Sequence, residues 1–209
     1  MSALDETQYV TAILPDYQYA LEITEVYLRS FERELKLSGG RSLIKSVESR
    51  IKSFSSLVEK CERKSIPLTA HDVKNRVKDI AGIRIVCPFR DDIYAVFDAI
   101  RKMPNIMIIV KKDYVDSPKD NGYSSLHVIV SVPIPLTLSE PRLIPVEIQI
   151  RDVAMDLWAS VEHILKYKNK NPNPAAVEKL RRAAEHLRDL DSELIDLRDY
   201  HEDDFREEG

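Results

Sequence analysis

Two carboxylates, a cluster of cations and a tyrosine–histidine pair are the side chains in this sequence that can do chemistry together. The stretch Val146-Glu147-Ile148-Gln149-Ile150-Arg151 reads as a strand. A strand's period of two sets Glu147, Gln149 and Arg151 on one face and the three aliphatic residues on the other. An ordinary half-exposed strand shows the same alternation, but a central strand rarely carries a charged face without use. Asp79 stands just before another apolar strand, in a position to share a metal ion with Glu147. Two carboxylates near Arg and Lys suit magnesium-dependent phosphoryl chemistry, because Mg²⁺ takes one or two carboxylates plus phosphate oxygens. Asn121-Gly122, a turn signal, runs into an apolar strand from Leu126 to Val132, with Tyr123 and His127 on either side of the junction. Lys111, Lys112 and Lys119 crowd the approach. A flat ring beside cations suits a phosphorylated purine.

Several other chemistries are excluded. The chain has five glycines, no Gly-Lys-Ser/Thr and no Gly-x-Gly-x-x-Gly, so neither phosphate-binding fingerprint is present. His71, His127, His163, His186 and His201 lack zinc-ligand spacing with one another or with cysteine. His71-Asp72 is a bare dipeptide at a helix start, where Asp is a routine first-turn residue. Cys61 and Cys87 both fall on apolar-patterned segments and read as buried thiols. The net charge of −4 hides an asymmetry. Residues 41–76 carry nine Lys/Arg against four Asp/Glu, and residues 178–209 carry six against twelve. The basic middle points to anionic ligands, and the acidic tail argues against nucleic-acid binding by that end. RNA binding is not indicated. No run of 18 apolar residues is present, so no membrane helix is expected. The acidic N-terminus lacks a signal-peptide pattern, and the expected location is cytoplasmic.

The positioning elements follow from periodicity. Residues 4–37 read as helical, with Leu14, Tyr17, Leu21, Thr24, Leu28, Phe31 and Leu35 on one face, Pro15 in the first turn and Ser38-Gly39-Gly40 at the end. That face suits either the core or a partner subunit. Residues 42–64 read as a second helix on Leu43, Val47, Ile51, Phe54, Val58 and Cys61, which leaves Arg50, Lys52, Ser53, Ser56, Lys60 and Arg63 on a basic outer face. A short helix (70–79), a strand from Ala81 to Cys87 and a helix (91–103) follow. The strand 105–114, continuously apolar from Ile106 to Val110, is expected to be buried on both faces. Strands 125–132 and 143–151 flank a connection punctuated by Pro133, Pro135 and Pro141. Residues 152–167 form a helix with Leu157, Trp158, Val161, Ile164 and Leu165 inward. After the linker Asn171-Pro172-Asn173-Pro174, a last helix runs to about Tyr200. Its short seam, in which Leu180, Leu187 and Leu194 alternate with Ala183, Leu190 and Leu197, would pack on the first helix or join subunits. The order of elements gives an α/β (α+β) class with a buried sheet and helical flanks.

The ordered set of motifs is more specific than any one of them. Ser49-Arg50-Ile51-Lys52-Ser53, Asp79-Ile80-Ala81-Gly82-Ile83-Arg84, Lys112-Asp113-Tyr114, Asn121 to His127, Glu147 to Arg151, and Ala154-Met155-Asp156-x-Trp158-Ala159-Ser160-x-Glu162-His163 occur in that order. Over about residues 42–168 the chain resembles the synthetase domain of the RelA/SpoT family, which makes pppGpp and ppGpp. Its length and helical flanks resemble the single-domain small alarmone synthetases, with no hydrolase domain expected before it and no room for regulatory domains after it.

The resemblance implies a nucleotidyltransferase-like mixed sheet flanked by helices, with helical extensions at residues 1–40 and 169–209 around a synthetase domain at 41–168. It implies transfer of pyrophosphate from ATP to the 3′-hydroxyl of GTP or GDP, releasing AMP. Arg50 and Arg84 match the pair that sandwiches adenine, and Lys52, Ser56, Lys60 and Arg63 match the ATP-phosphate contacts. Asp79 matches a Mg²⁺ ligand, and Glu147 matches the second acidic residue, which helps hold the metal and deprotonates the acceptor hydroxyl. Tyr123 matches the residue that stacks on guanine. Lys112, Lys119, His127 and Gln149 line the acceptor side, with Asp156 as a guanine contact. Homotetramers built through terminal helices are common among such proteins. Two positions depart from the pattern: Ser124 stands where most members have arginine, and Arg76-Val77-Lys78-Asp79 resembles the bifunctional enzymes. Loss of that cation motivates a second reading, a catalytically weak nucleotide-binding regulator.

Overall fold

The computed structural model describes residues 10–135, 140–168 and 173–207. Ala81-Gly82-Ile83-Arg84-Ile85-Val86-Cys87 is a strand because its β-branched residues alternate with small or polar ones and Pro88 follows. It forms β2 (Ala81–Cys87) of a five-stranded mixed sheet. The other strands are β1 (Ser46–Ile51), β3 (Met107–Asp113), β4 (Leu126–Ile134) and β5 (Arg142–Asp152), in the order β1-β2-β5-β4-β3. Of the four ladders among the described residues, β2–β5 is parallel and the other three are antiparallel. Helix α1 (Leu14–Leu37) lies across four strands and buries Tyr17, Leu21, Thr24 and Leu28, so its patterned face is core. Helices α2 (Phe54–Arg63) and α3 (Ala70–Arg76) link β1 to β2, and α4 (Asp92–Lys102) packs on β5. Helix α5 (Val153–Lys168) leaves β5 directly, and α6 (Pro174–Glu207) packs back on α5. The expected α+β mixed sheet with helical flanks is the observed fold. Residues 4–9 of the first helical reading, Asn171-Pro172 of the linker and the last two residues of the acidic tail lie outside the described residues.

Register explains how this fold builds a polar face. Side chains opposite one another across a ladder point to the same side of the sheet. Pairing Arg50↔Gly82, Gly82↔Glu147 and Glu147↔Ile129 makes one row. Pairing Glu48↔Arg84, Arg84↔Gln149, Gln149↔His127 and His127↔Lys112 makes a second, which crosses all five strands. The alternate positions, including Ile83, Ile85, Val128 and Ile148, form the buried core.

Four expectations are corrected. Residues 42–64 are not one helix: 46–51 form edge strand β1, and α2 starts only at Phe54. The spacing of four and three between Val47, Ile51 and Phe54 imitates a helical face, but β2 offers an open edge that pairs with residues 46–51. Lys45 N–H to the Val86 carbonyl and Lys52 N–H to the Ile80 carbonyl extend that ladder. Ser53 then caps α2 by accepting from Ser56 N–H. Second, β3 is an edge strand rather than a strand buried on both faces, with Met107 57% and Ile109 49% exposed. Its one ladder, to β4, is kinked between Ile108 and Val110. Third, Pro133 lies within β4 rather than in the connection. Fourth, the long apolar stripe expected inside α5 is mostly outside: Trp158 and Met155 are buried, whereas Leu157, Val161, Ile164 and Leu165 are exposed. On α6, Leu180 and Leu187 join the Trp158 cluster around buried Ala184, while Leu190, Leu194 and Leu197 are exposed. The first part of the seam therefore packs on α5 rather than on α1, and its second part is uncovered.

Candidate active site

The polar rows of the sheet open into a cleft lined by Glu48, Ser49, Arg50, Asp79, Gly82, Ile83, Arg84, Glu147 and Gln149. Gly82 matters because it lies between Arg50 and Glu147 in their row. A Cβ there would touch only Arg50, at 4.0 Å, so the floor between cation and carboxylate stays open. Arg50 and Arg84 project from neighbouring strands, and Arg84 Nη1 reaches Glu48 Oε2 at 3.3 Å. Arg84 Nε is buried without a hydrogen-bond partner among the described residues.

Asp79 enters the cleft from the turn before β2. Lys52 Nζ lies 3.0 Å from its Oδ2 and Lys60 Nζ 2.5 Å from its Oδ1. Burial works to raise the carboxyl pKa, but the hydrogen bonds from Lys60 and Lys52 outweigh it and hold the group below the usual range. Lys52 comes from the β1–α2 hinge and Lys60 from α2, so the capped start of α2 decides where the pair converges. Ser56, Lys60 and Arg63 share one helix face at spacings of four and three. Of these, Ser56 and Arg63 are exposed and do not line the cleft. Lys78 donates to the Lys74 carbonyl at 3.2 Å. The Asp72 side chain accepts from Thr69 at the start of α3, as a helix-start residue does.

The second half of the site surrounds Tyr123. Gly122 has φ +90°, and a Cβ on it would lie 2.6 Å from Ala184 Cβ, so only glycine lets the turn sit against α6. Asn121 braces the turn by donating to Glu162 at 2.6 Å and accepting from Tyr123 N–H at 3.2 Å. Lys119 Nζ stands 4.5 Å from the Tyr114 ring centre and 4.8 Å from that of Tyr123. Trp158 backs Tyr123 from α5, and its indole N–H donates to the Leu180 carbonyl. The Tyr123 hydroxyl is 2.8 Å from His127 Nε2, and His127 Nδ1 is 3.9 Å from Glu147 Oε1. Gln149 donates to Glu147 Oε2 at 3.1 Å. Burial first, then the charges of Lys119, Lys112 and Arg151, push the His127 pKa down to about 4, so its ring is neutral at pH 7.

The expected residues thus fall into two clusters joined by Glu147 and Gln149. Asp156 is ion-paired with buried Arg151. Lys112 lies beside His127 across the β3–β4 ladder and is exposed. Ser124 is 1% exposed, and its hydroxyl has no partner among the described residues. Glu48 and Gly82 line the cleft without having been singled out. Reading 46–51 as an alternating strand would have placed Glu48 beside Arg50. Tyr114 was visible only as a motif letter and Trp158 only as a motif letter and an inward-facing helix residue, because their ring contacts arise from chain segments far apart in sequence.

Residues 49–172 match the model of a region found in RelA / SpoT proteins. The chain is 38% identical to the GTP pyrophosphokinase YwaC of Bacillus subtilis, covering 87% of each. It is 36% identical to the GTP pyrophosphokinase YjbM of the same organism, over 93% of this chain and 90% of that protein. Among solved structures, small alarmone synthetase 1 from Bacillus subtilis bound to its product pppGpp superposes with a TM-score of 0.81 at 36% identity. That match covers 92% of this chain and 97% of the other. A GTP pyrophosphokinase family protein from Streptococcus pneumoniae gives 0.82 at 30% identity, over 97% of each chain.

Proposed function

The chain belongs to the family defined by the region found in RelA and SpoT, and from that premise we infer that it is a small alarmone synthetase. It transfers pyrophosphate from ATP to the 3′-hydroxyl of GTP or GDP, giving pppGpp or ppGpp and AMP. The observation that carries this reading is the meeting of two differently equipped clusters at one carboxylate, Glu147.

In this reading Arg50 and Arg84 hold the adenine between two guanidiniums. Lys52 and Lys60 hold the ATP phosphates, with Ser56 and Arg63 completing the α2 face. The lysines now grip Asp79, so nucleotide phosphates draw them away as they arrive. Guanine stacks on Tyr123, with Lys112, Lys119, His127, Gln149 and Asp156 lining the acceptor side. The 3′-oxygen forms a bond to the β-phosphorus of ATP while the bond from that phosphorus to the α,β-bridging oxygen breaks. AMP leaves with the bridging oxygen, and Glu147 takes the hydroxyl proton. Mg²⁺ belongs to the same reading, with Asp79 and Glu147 as its protein ligands. Among the described residues no three His, Cys, Asp or Glu side chains gather to hold an ion. A pair of carboxylates fits an ion whose remaining ligands are phosphate oxygens and water, as those of Mg²⁺ are. When bound, the ion neutralises phosphate charge.

Finer features follow the same inference. The synthetase unit is residues 41–168, with helical extensions on either side, and the protein serves the stringent response in the cytoplasm. Among the described residues no helix is long and apolar enough to cross a membrane. A homotetramer formed through the terminal helices is supported by Leu190, Leu194 and Leu197 of α6, which are exposed. Incubation of the purified protein with ATP, Mg²⁺ and GTP or GDP tests the function: AMP and a 3′-pyrophosphorylated guanosine nucleotide appear together. Nucleotide binding without AMP would identify a regulator instead, the reading that Ser124 motivates.

A further inference from the structure

We propose that the Tyr123 hydroxyl and His127 form a positioning relay that fixes the Glu147 carboxylate, so that the residue under the guanine also orients the base. This rests on the synthetase reading and deepens it. A neutral imidazole has one nitrogen that donates and one that accepts. His127 Nδ1 faces Glu147 Oε1 at 3.9 Å and Nε2 meets the Tyr123 hydroxyl at 2.8 Å. A bare lone pair on Nδ1 would oppose the carboxylate, so the proton belongs on Nδ1. Nε2 then accepts from the Tyr123 O–H. Gln149 donates to the other oxygen, Oε2, at 3.1 Å. Gln149 thus holds one oxygen of Glu147 by a hydrogen bond, and the His127 N–H dipole faces the other across 3.9 Å, a longer-range attraction that orients the carboxylate without neutralising it.

The surroundings hold the relay in place. Tyr123 is wedged by Trp158, Tyr114 and Lys119. The His127 ring stands nearly perpendicular to both tyrosine rings, at 89°. The phenol lies in a buried setting that raises its pKa, so it stays a donor at neutral pH. Guanine stacking needs only the Tyr123 ring, whereas the relay needs its oxygen. One residue therefore carries two separable tasks.

Tyr123→Phe separates them. The expected result is an acceptor KM within about threefold of the parent and a kcat lowered about tenfold, the scale of one lost hydrogen bond. In a His127→Asn background, where the amide replaces the Nδ1 donor alone, Tyr123→Phe has no further effect on kcat. A second readout needs no turnover: ¹⁵N spectra of the imidazole in the apo protein show the Nδ1–H tautomer, and Tyr123→Phe shifts the population toward Nε2–H. An Nε2–H tautomer in the parent protein overturns the proposal, as does an unchanged kcat in Tyr123→Phe or full additivity with His127→Asn. Glu147→Gln separates this from the underlying reading. Normal turnover there removes Glu147 as the base, whereas loss of turnover there with a fully active Tyr123→Phe removes only the relay.

Discussion

At the residue scale, buried polar atoms left without partners mark where the chain has traded stability for something else. Ser124 is such a position, with its hydroxyl enclosed and unpaired among the described residues. Ser124→Ala removes an unsatisfied hydroxyl and should raise unfolding free energy by about 1 kcal/mol in urea titrations. Asp191 on α6 is another. Its side chain is almost fully buried, with Arg90 Nε only as near as 3.9 Å. Burial, then the charge of Asp152, pushes its pKa up from the ordinary carboxylate range to about 6. Between those values the folded state binds the extra proton, so stability falls as pH rises through that window and stays lower above it. Asp191→Asn should therefore stabilise the protein at pH 7 by roughly 1–3 kcal/mol and change little near pH 4, as read by thermal melts across that range. Residue types in this site were well legible in the sequence, since Asp79, Glu147, Arg50, Arg84, Lys52 and Lys60 all reach or border the cleft. What they touch was not. Nothing in the order of letters says that both lysines grip Asp79, or that Arg151 is spent on Asp156.

At the scale of elements, the C-terminal helix packs against the Tyr123 cluster, which the proposed function assigns to the acceptor. Helix α6 presents Ala184 and Arg181 to the Gly122 turn and Leu180 to the Trp158 indole. Gly122→Ala forces a Cβ into Ala184 at a backbone angle that L-residues resist. The turn or the helix must then move, taking Tyr123 with it. The acceptor KM should rise about tenfold or more while ATP affinity stays within about twofold; equal loss of both would show that the two halves are not separate. The strands with clean alternation, β2 and β5, were legible to within a residue or two. Strand β1 was not, because Val47, Ile51 and Phe54 fit a helical period as well as a strand running into a helix. The open edge of β2 decides between them, and that edge is a tertiary fact. The α5 face failed for a related reason: periodicity finds an apolar stripe but cannot say which molecule covers it.

At the scale of the whole molecule, the sheet divides labour between its faces. One face is packed under α1, and the other lines up Glu48, Arg84, Gln149, His127 and Lys112 across all five strands. The two clusters that the proposed function assigns to donor and acceptor lie at different places along that face and meet at Glu147, so that function depends most on this residue. The direct measurement compares the parent protein with Glu147→Gln, following AMP release and ATP binding in parallel with Mg²⁺ and GTP or GDP present. The parent should release one AMP per 3′-pyrophosphorylated product. Glu147→Gln should bind ATP within a few-fold of the parent and release AMP at least about a hundredfold more slowly. Near-parental turnover by Glu147→Gln would contradict it.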